Sequence, residues 1–174
     1  VVACAVALAA AGVAAAAAVT HQSSHSLTAS QATAGRVTLH KTKLGKVLAT
    51  SSGRTLYLFM VDKLGRSKCY GQCAGYWPPL MKKGKVTAGA GVKAGLLGTT
   101  KRKNGKLQVT YKRHPLYLFK LDTGAGQLKG QRQNFFGGRW FVVSAAGKAI
   151  KAAPPNGTTS TGTTTYTEPT NPYP

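Results

Sequence analysis

The clearest pattern along the chain is a short run of alternating aliphatic and aromatic positions that occurs twice, sixty residues apart. Leu-Tyr-Leu-Phe begins at Leu56 and again at Leu116, and an aspartate follows each run, Asp62 and Asp122. Alternate side chains of a β-strand point to opposite faces, so the aromatics of each run share one face and the leucines share the other. Both faces are apolar, which predicts strands covered on both sides. The repetition predicts a fold built from two related units.

Each run leads through a glycine-containing loop to a tryptophan beside apolar residues. Trp77 precedes Pro78-Pro79-Leu80, and Trp140 precedes Phe141-Val142-Val143. Aromatic side chains in strand alternation usually pack in a core. We therefore predict a core role for the repeated aromatic residues, which are Tyr57, Phe59, Trp77, Tyr117, Phe119 and Trp140.

Apolar runs separated by glycine turns predict three β-hairpins, with turns at Ser51-Ser52-Gly53, Asn104-Gly105 and Ala145-Ala146-Gly147. Asn-Gly between two such runs is the strongest short-range hairpin signal. Residues 88–97 can form one helical turn, although three glycines within them disfavour a longer helix. The sequence thus predicts a mainly β fold, a compact domain of two degenerate tandem repeats arranged as a small sandwich or barrel.

The two ends of the chain differ in composition from this domain. Residues 1–19 are uncharged and mostly Ala and Val, which predicts a secretory signal cleaved near residues 16–18 or a retained membrane anchor. Lipidation of Cys4 is a third option. Residues 20–36 are polar and predict a linker. Residues 151–174 are rich in Thr and Pro and predict a disordered tail, because they cannot build a core.

Residues 37–150 remain for the β domain, with repeat 1 at about 45–80 and repeat 2 at about 105–144. All 24 Lys and Arg residues lie within Arg36–Lys151, together with only two of the three acidic residues. A field of this size attracts anionic surfaces and weakens with salt. It predicts binding to anionic cell-wall polymers or to a phospholipid surface, and non-specific contact with nucleic acid. Scattered charges of this kind also occur where they only keep a protein soluble.

The densest basic clusters are the predicted anion-binding residues. They are Lys82, Lys83 and Lys85; Lys101, Arg102, Lys103 and Lys106; and Lys112 and Arg113.

Cys69 and Cys73 form a second candidate site. In an exported protein, two cysteines this close predict a local disulfide that fixes the loop before Trp77. The alternative is a metal or thiol-redox site, since two thiolates at this spacing can bind copper and His114 or His40 can complete the ligand set. The sequence has no second ligand cluster and no Cys-x-x-Cys-His haem motif, so we predict no cofactor.

Asp62 and Asp122 are the third candidate, because each holds the same place in its repeat. A structural explanation is that each carboxylate accepts backbone N–H bonds in the turn after its strand, or pairs with a nearby Lys or Arg. A functional explanation is the acid/base pair of a hydrolase. Asp122-Thr123-Gly124 resembles the Asp-Thr-Gly element of aspartic proteases, but Asp62-Lys63-Leu64 does not repeat it. We therefore predict a structural role and no enzymatic activity.

Taken together, these motifs resemble a bacterial secreted-repeat family, also described as predicted lipoproteins with a Tyr-x-aromatic-x-x-Asp motif. The resemblance covers roughly residues 37–150. The residues that carry it are Gly53–Phe59, Asp62, Gly65, Ser67, Cys69, Gly71, Cys73-Ala74 and Trp77–Leu80 in repeat 1, and Pro115–Phe119, Asp122 and Gly137–Ser144 in repeat 2. It implies an exported, envelope-associated bacterial protein with a tandem repeat and no established activity.

The leading hypothesis is therefore a non-enzymatic protein of the cell envelope whose basic surface binds anionic polymers or membranes. The alternative is a copper or thiol-redox protein that uses Cys69 and Cys73. Binding through charge should weaken with salt and survive alkylation of the cysteines, whereas metal binding should require reduced thiols.

Overall fold

The computed structural model describes residues 35–155, together with Val1. The predicted signal or anchor and nearly all of the predicted linker and tail lie outside the described residues. Within residues 35–155 there are nine strands, one short α-helix and one 3₁₀ helix, Ala94–Leu96. None of the helices in this part of the chain has the length and apolar character needed to cross a membrane.

The elements follow one another in this order: β1 (Arg36–Thr42), β2 (Gly45–Thr50), β3 (Tyr57–Phe59), α1 (Gln72–Tyr76), β4 (Thr87–Ala88), β5 (Leu97–Lys101), β6 (Leu107–Tyr111), β7 (His114–Pro115), β8 (Asn134–Phe135) and β9 (Gly138–Val142). They form three three-stranded sheets, ordered β2-β1-β4, β3-β9-β8 and β5-β6-β7. Only the pairing of β1 with β4 is parallel among these strands. The prediction of a mainly β fold is confirmed.

Each repeat consists of a hairpin followed by its Leu-Tyr-Leu-Phe run. In repeat 1, the β1–β2 hairpin precedes β3; in repeat 2, the β5–β6 hairpin precedes residues 116–119. The tryptophan segments are exchanged between the repeats. β9, which carries Trp140, pairs with β3 of repeat 1, while residues 78–80 of repeat 1 pair with residues 116–118 of repeat 2. Neither repeat is complete without the other.

The two repeats meet at the backbones of Tyr57 and Tyr117. The Tyr57 amide donates to the Tyr117 carbonyl at 2.9 Å, and the Tyr117 amide donates to the Tyr57 carbonyl at 3.1 Å. This reciprocal pair places a pseudo-twofold axis between the two tyrosines, and the exchanged strands lie on either side of it.

The central strands are covered on both faces, as the alternation predicted. Leu56, Leu58 and Leu116 belong to one buried apolar cluster, and the aromatic side chains of both runs belong to another. Val109 and Val143 are among the residues that pack with the leucines. The side-chain period of two thus separates an aliphatic core from an aromatic core across the same strands.

The predicted Asn-Gly hairpin is confirmed as β5–β6, but its loop is wider than a two-residue turn. Arg102 N donates to Lys106 O at 2.9 Å, and Gly105 has a φ of 78°. The loop therefore ends in a left-handed glycine, as is common for hairpins with loops longer than two residues. The one-turn helix predicted within residues 88–97 is also present, at Ala94–Leu96.

Two elements, β1 and α1, were not predicted from the sequence. β1 is the main antiparallel partner of β2. The residues after the Ser51-Ser52-Gly53 turn, which were predicted to pair with β2 as a hairpin, contribute only an isolated bridge between Ala49 and Thr55. Polar residues such as Thr38 and Lys41 hide the strand character of β1. The α1 helix spans only five residues, too few to leave a helical period in the sequence.

The β6–β7 turn carries backbone strain. Tyr111 pairs with His114, so Lys112 and Arg113 are the two turn residues, with φ values of 49° and 65°. Both positions of such a turn require positive φ, which costs roughly 1–2 kcal/mol for a residue with a Cβ atom.

Arg113→Gly should therefore stabilise the domain by about 1 kcal/mol, because glycine adopts this φ without the steric cost. The unfolding free energy from chemical denaturation measures the effect. Lys43→Gly is the matched control, since Lys43 is an exposed lysine of the β1–β2 turn and is not among the residues with positive φ. It should be neutral or destabilising. Equal stabilisation by both changes would contradict the strain at Arg113.

Candidate functional site

Four aromatic rings form a continuous stack at the centre of the aromatic core. Phe59 stacks on Trp140 at 4.2 Å between ring centroids, Trp140 on Trp77 at 3.8 Å, and Trp77 on Phe119 at 4.2 Å. The two indole planes are 3° from parallel. Successive rings come alternately from repeat 1 and repeat 2, so the stack joins the repeats through their side chains. The predicted core role of these aromatics is confirmed.

Tyr57 and Tyr117 flank this stack and link each repeat to the aspartate of the other. Each ring meets the tryptophan of its own repeat edge to face, at 5.4 Å for Trp77 and 5.2 Å for Trp140. The Tyr57 hydroxyl donates to Asp122 Oδ2. The Tyr117 hydroxyl donates in the same way to Asp62 Oδ2, at 2.6 Å. Because each tyrosine binds the aspartate of the opposite repeat, we call these two contacts the crossed Tyr–Asp pairs.

The other carboxylate oxygen of each aspartate accepts a backbone N–H. Lys68 N donates to Asp62 Oδ1 at 2.7 Å, and Lys129 N donates to Asp122 Oδ1 at 3.0 Å. The predicted role of both aspartates as acceptors of backbone N–H bonds is confirmed. Sequence reasoning missed the tyrosine partners, although the shared five-residue spacing from Tyr to Asp in both repeats was a signal that the two residues belong together.

Burial shifts the pKa of every group in the crossed pairs. It raises the pKa of Asp62 to about 6, against the opposing effects of the Tyr117 hydroxyl and the Lys68 N–H. Burial likewise raises the pKa of Asp122 above its usual range. The pKa values of Tyr57 and Tyr117 rise through burial and through the charge of the nearby aspartate, so both hydroxyls stay protonated and act as donors.

The crossed pairs are not equally open to solvent. Asp122 is 1% exposed, whereas Asp62 is half-buried. A general base must reach a substrate proton, and Asp122 has no such access in this arrangement. The geometry therefore suits a structural link between the repeats better than acid/base chemistry on a bound substrate.

The cysteines form the predicted disulfide. Cys69 and Cys73 are bonded with their Cα atoms 5.2 Å apart, and both side chains are buried against the aromatic core. Cys73 lies in α1, and its carbonyl accepts the Trp77 N–H at 2.7 Å. The bridge therefore anchors the short segment that delivers Trp77 to the stack.

The alternative ligand set of Cys69, Cys73 and His114 is not assembled. Among residues 35–155 there is no group of three or more His, Cys, Asp or Glu side chains that could hold a metal ion. His114 lies on β7, where burial and the nearby Lys112 lower its pKa. His40 lies on β1, close to Gly126.

Arg102 does not fit the predicted set of anion-binding residues, because it is buried. It is 7% exposed, with its guanidinium donating to Gln108 Oε1 at 2.5 Å and to the Cys69 carbonyl at 2.6 Å. The same group lies 4.4 Å from the centre of the Tyr70 ring. Because these partners use its donors inside the protein, Arg102 fixes the disulfide loop to the β5–β6 hairpin instead of facing solvent.

The other eight predicted anion-binding residues are exposed, and four of them line one groove. We call it the lysine groove: it has a volume of about 810 Å³ and is lined by Met81, Lys82, Lys83, Gly84, Lys85, Lys106 and Leu107. The sequence placed Lys106 in a different cluster from Lys82, Lys83 and Lys85. The structure brings them together because residues 81–82 pair with the start of β6.

The wall of the lysine groove is fixed by backbone contacts. Lys82 N donates to Leu107 O at 2.8 Å, and Gly84 turns the chain with a φ of 64°. Gly35 lies against the same loop so closely that a Cβ atom there would be 2.8 Å from the carbonyl oxygens of Lys83 and Lys85. The lysine side chains are flexible, but the backbone from which they project is well defined.

A family model described as a secreted repeat of unknown function matches residues 38–81 and residues 98–144. The chain belongs to this family. As a member of a secreted family the protein is exported, and the suspected resemblance is confirmed. Each matched range begins within the first strand of a hairpin, β1 or β5. A search of curated proteins and a search of solved structures returned no match.

The difference in burial between the two crossed pairs predicts different costs for removing their tyrosine hydroxyls from this secreted repeat. Tyr57→Phe should cost about 2–3 kcal/mol of unfolding free energy, because it removes one of the two hydrogen bonds to the buried Asp122 carboxylate. Tyr117→Phe is the matched control and should cost about 1 kcal/mol, since water can reach the half-buried Asp62. Chemical denaturation of both variants measures this. A larger cost for Tyr117→Phe would contradict the assignment.

The raised pKa of Asp62 predicts a pH dependence of stability. The folded protein holds this proton with a pKa of about 6, against 3.8 for the unperturbed side chain. The stability that the protonated Asp62 contributes is therefore fully present below about pH 4 and is lost as the pH rises through about 6. Asp62→Asn should remove this decline, so the unfolding free energy of the variant should rise relative to that of the wild type between pH 4 and pH 7. Parallel unfolding curves at both pH values test this, and an unchanged difference would refute it.

Proposed function

We propose that this exported protein is a binding module for anionic polymers of the cell envelope, and that the lysine groove is its binding site. The convergence of Lys82, Lys83, Lys85 and Lys106 on one groove is the observation that carries the proposal. The four residues come from two separate segments, so sequence proximity alone does not explain their meeting.

Electrostatics favours occupation of the groove by an anion. Like charges at neighbouring positions repel one another, and both aspartates of the domain are engaged by the crossed Tyr–Asp pairs. A polyanion that enters the groove relieves this repulsion and gains attraction to all four ammonium groups. Lysine suits a polymer whose phosphates are spaced irregularly, because its ammonium is a point charge on a flexible stem and demands no fixed orientation.

The shape of the groove favours an extended ligand. It is open to solvent and flanked by the exposed Leu107 and the half-buried Met81. Its defined backbone lowers the ordering cost of binding, since only side chains must settle around the ligand. A linear phosphodiester polymer with short carbon linkers matches both the charge of the groove and the apolar side chains that line it.

The test is a binding titration of the full chain with poly(glycerol phosphate) at several salt concentrations. Changing Lys82, Lys83, Lys85 and Lys106 together to Gln should weaken binding by roughly four-fold to a thousand-fold, since exposed ion pairs contribute roughly 0.2–1 kcal/mol each. It should also reduce the dependence of the affinity on salt.

A control variant with the same net charge changes four exposed lysines outside the groove to Gln, namely Lys41, Lys43, Lys46 and Lys148. It should retain most of the affinity. An equal loss in both variants would mean that binding is spread over the whole basic surface, and an unchanged affinity in the groove variant would exclude the groove. Binding by the wild type that does not respond to salt would contradict the electrostatic mechanism.

A further inference from the structure

We propose that a second surface, which shares no residue with the lysine groove, docks on a bilayer of anionic phospholipid. We call it the loop-60 surface; it consists of the Met60–Leu64 loop and the cations Arg132, Arg139 and Lys151. The proposal does not depend on polymer binding in the lysine groove. It rests on exposed apolar side chains beside a group of cations.

The apolar part of this surface is a single short loop. Met60, Val61 and Leu64 are 47%, 40% and 50% exposed. Val61 lies directly over Gly138, where a Cβ atom would be 2.2 Å from Val61 Cγ2. Three large apolar side chains exposed within five residues are unfavourable in water, and a lipid interface would remove them from it.

The cationic part surrounds Met60. A hollow of about 510 Å³ is lined by Met60, Phe141, Arg132, Arg139 and Lys151. The three cations are exposed and come from three separate segments of the chain. Arginine suits phosphate headgroups because its planar guanidinium donates two parallel hydrogen bonds. Attachment to anionic membranes usually combines apolar side chains that enter the lipid interface with neighbouring cations that bind the phosphates.

The loop contains one acidic group, and hydrogen bonds within the protein engage both of its carboxylate oxygens. Asp62 is the only acid between Met60 and Leu64, and it turns inward to accept the Tyr117 hydroxyl and the Lys68 N–H. The neighbouring Lys63 and Arg66 are exposed. Both oxygens of the one carboxylate in the loop are therefore engaged by hydrogen bonds within the protein, and the neighbouring cations outnumber it.

The loop is held in place before any contact with lipid. Met60 N donates to Arg139 O at 3.0 Å, Asp62 N donates to Phe59 O at 3.0 Å, and Gly65 N donates to Arg113 O at 2.7 Å. A loop ordered in advance loses little conformational entropy on docking.

Repeat 2 provides an internal comparison. Its equivalent loop also exposes one apolar side chain, Leu121, at 52%. However, Lys120 replaces Met60, and Thr123-Gly124 replaces Lys63-Leu64. Only the repeat 1 loop therefore combines several apolar side chains with neighbouring cations, and Leu121 is a matched control for exposure alone.

The experiment uses the full chain with one added tryptophan, Met60→Trp, and vesicles whose lipids carry bromine on their acyl chains. Bromine quenches a tryptophan only when the ring enters the bilayer, and the native Trp77 and Trp140 are buried and give the baseline. Leu64→Trp is a second reporter in case Met60→Trp does not fold, and Leu121→Trp is the control. The vesicles are phosphatidylglycerol or, for comparison, zwitterionic phosphatidylcholine.

We expect quenching of Met60→Trp and Leu64→Trp on phosphatidylglycerol vesicles, and little quenching of Leu121→Trp. Arg132→Gln and Arg139→Gln should each weaken vesicle binding by about five-fold, while the four-lysine groove variant should keep the quenching. The proposal is overturned by equal quenching at positions 60 and 121, by equal quenching on both lipids, or by its absence on phosphatidylglycerol. Loss of quenching in the groove variant alone would also overturn it, since the attachment would then belong to the lysine groove.

Discussion

The structure depends on the exchange of parts between the two repeats. Tyr57 and Tyr117 share reciprocal backbone hydrogen bonds, and the hydroxyl of each binds the aspartate of the opposite repeat. The indoles of Trp77 and Trp140 stack at the same place. A single repeat would leave a buried tyrosine hydroxyl, one carboxylate oxygen and one face of an indole without partners. Unpaired polar groups are costly in a core, so the tandem arrangement is a requirement of the motif.

This exchange also determines the character of the surface. Residues 36–151 carry two acidic side chains against 24 basic ones, and both acids are directed to tyrosines of the opposite repeat. Because basic side chains greatly outnumber these acids and the acids are hydrogen-bonded within the protein, the exterior keeps a strongly positive field. Stability comes from aromatic packing and aliphatic burial, and the surface charges are therefore available for binding. Arg102 is the instructive exception, since it is enclosed by Gln108, Cys69 and Tyr70.

The sequence predicted what depends on local spacing. The alternation in Leu-Tyr-Leu-Phe indicated two covered faces, Asn104-Gly105 indicated a hairpin, and the close cysteines indicated a disulfide. Contacts between the two repeats could not be predicted, since the spacing from Tyr to Asp is the same whether the hydrogen bond forms within one repeat or between the two. The lysine groove and the burial of Arg102 depend on which distant segments meet, and a list of charges does not contain that information.

The positions at which the repeats agree and differ separate structure from function. The tyrosines, phenylalanines, aspartates and tryptophans occupy equivalent places, and all of them serve the shared interior. Exposed positions have no reason to match, because they do not contribute to the exchange. Two of the differences fall at the surface. Met60 in one loop corresponds to Lys120 in the other, and Lys82-Lys83-Gly84-Lys85, five residues after Trp77, corresponds to Ala145-Ala146-Gly147-Lys148, five residues after Trp140. A fold that needs both copies for its core needs only one copy of each proposed binding surface, and this asymmetry is where its specific chemistry should be sought.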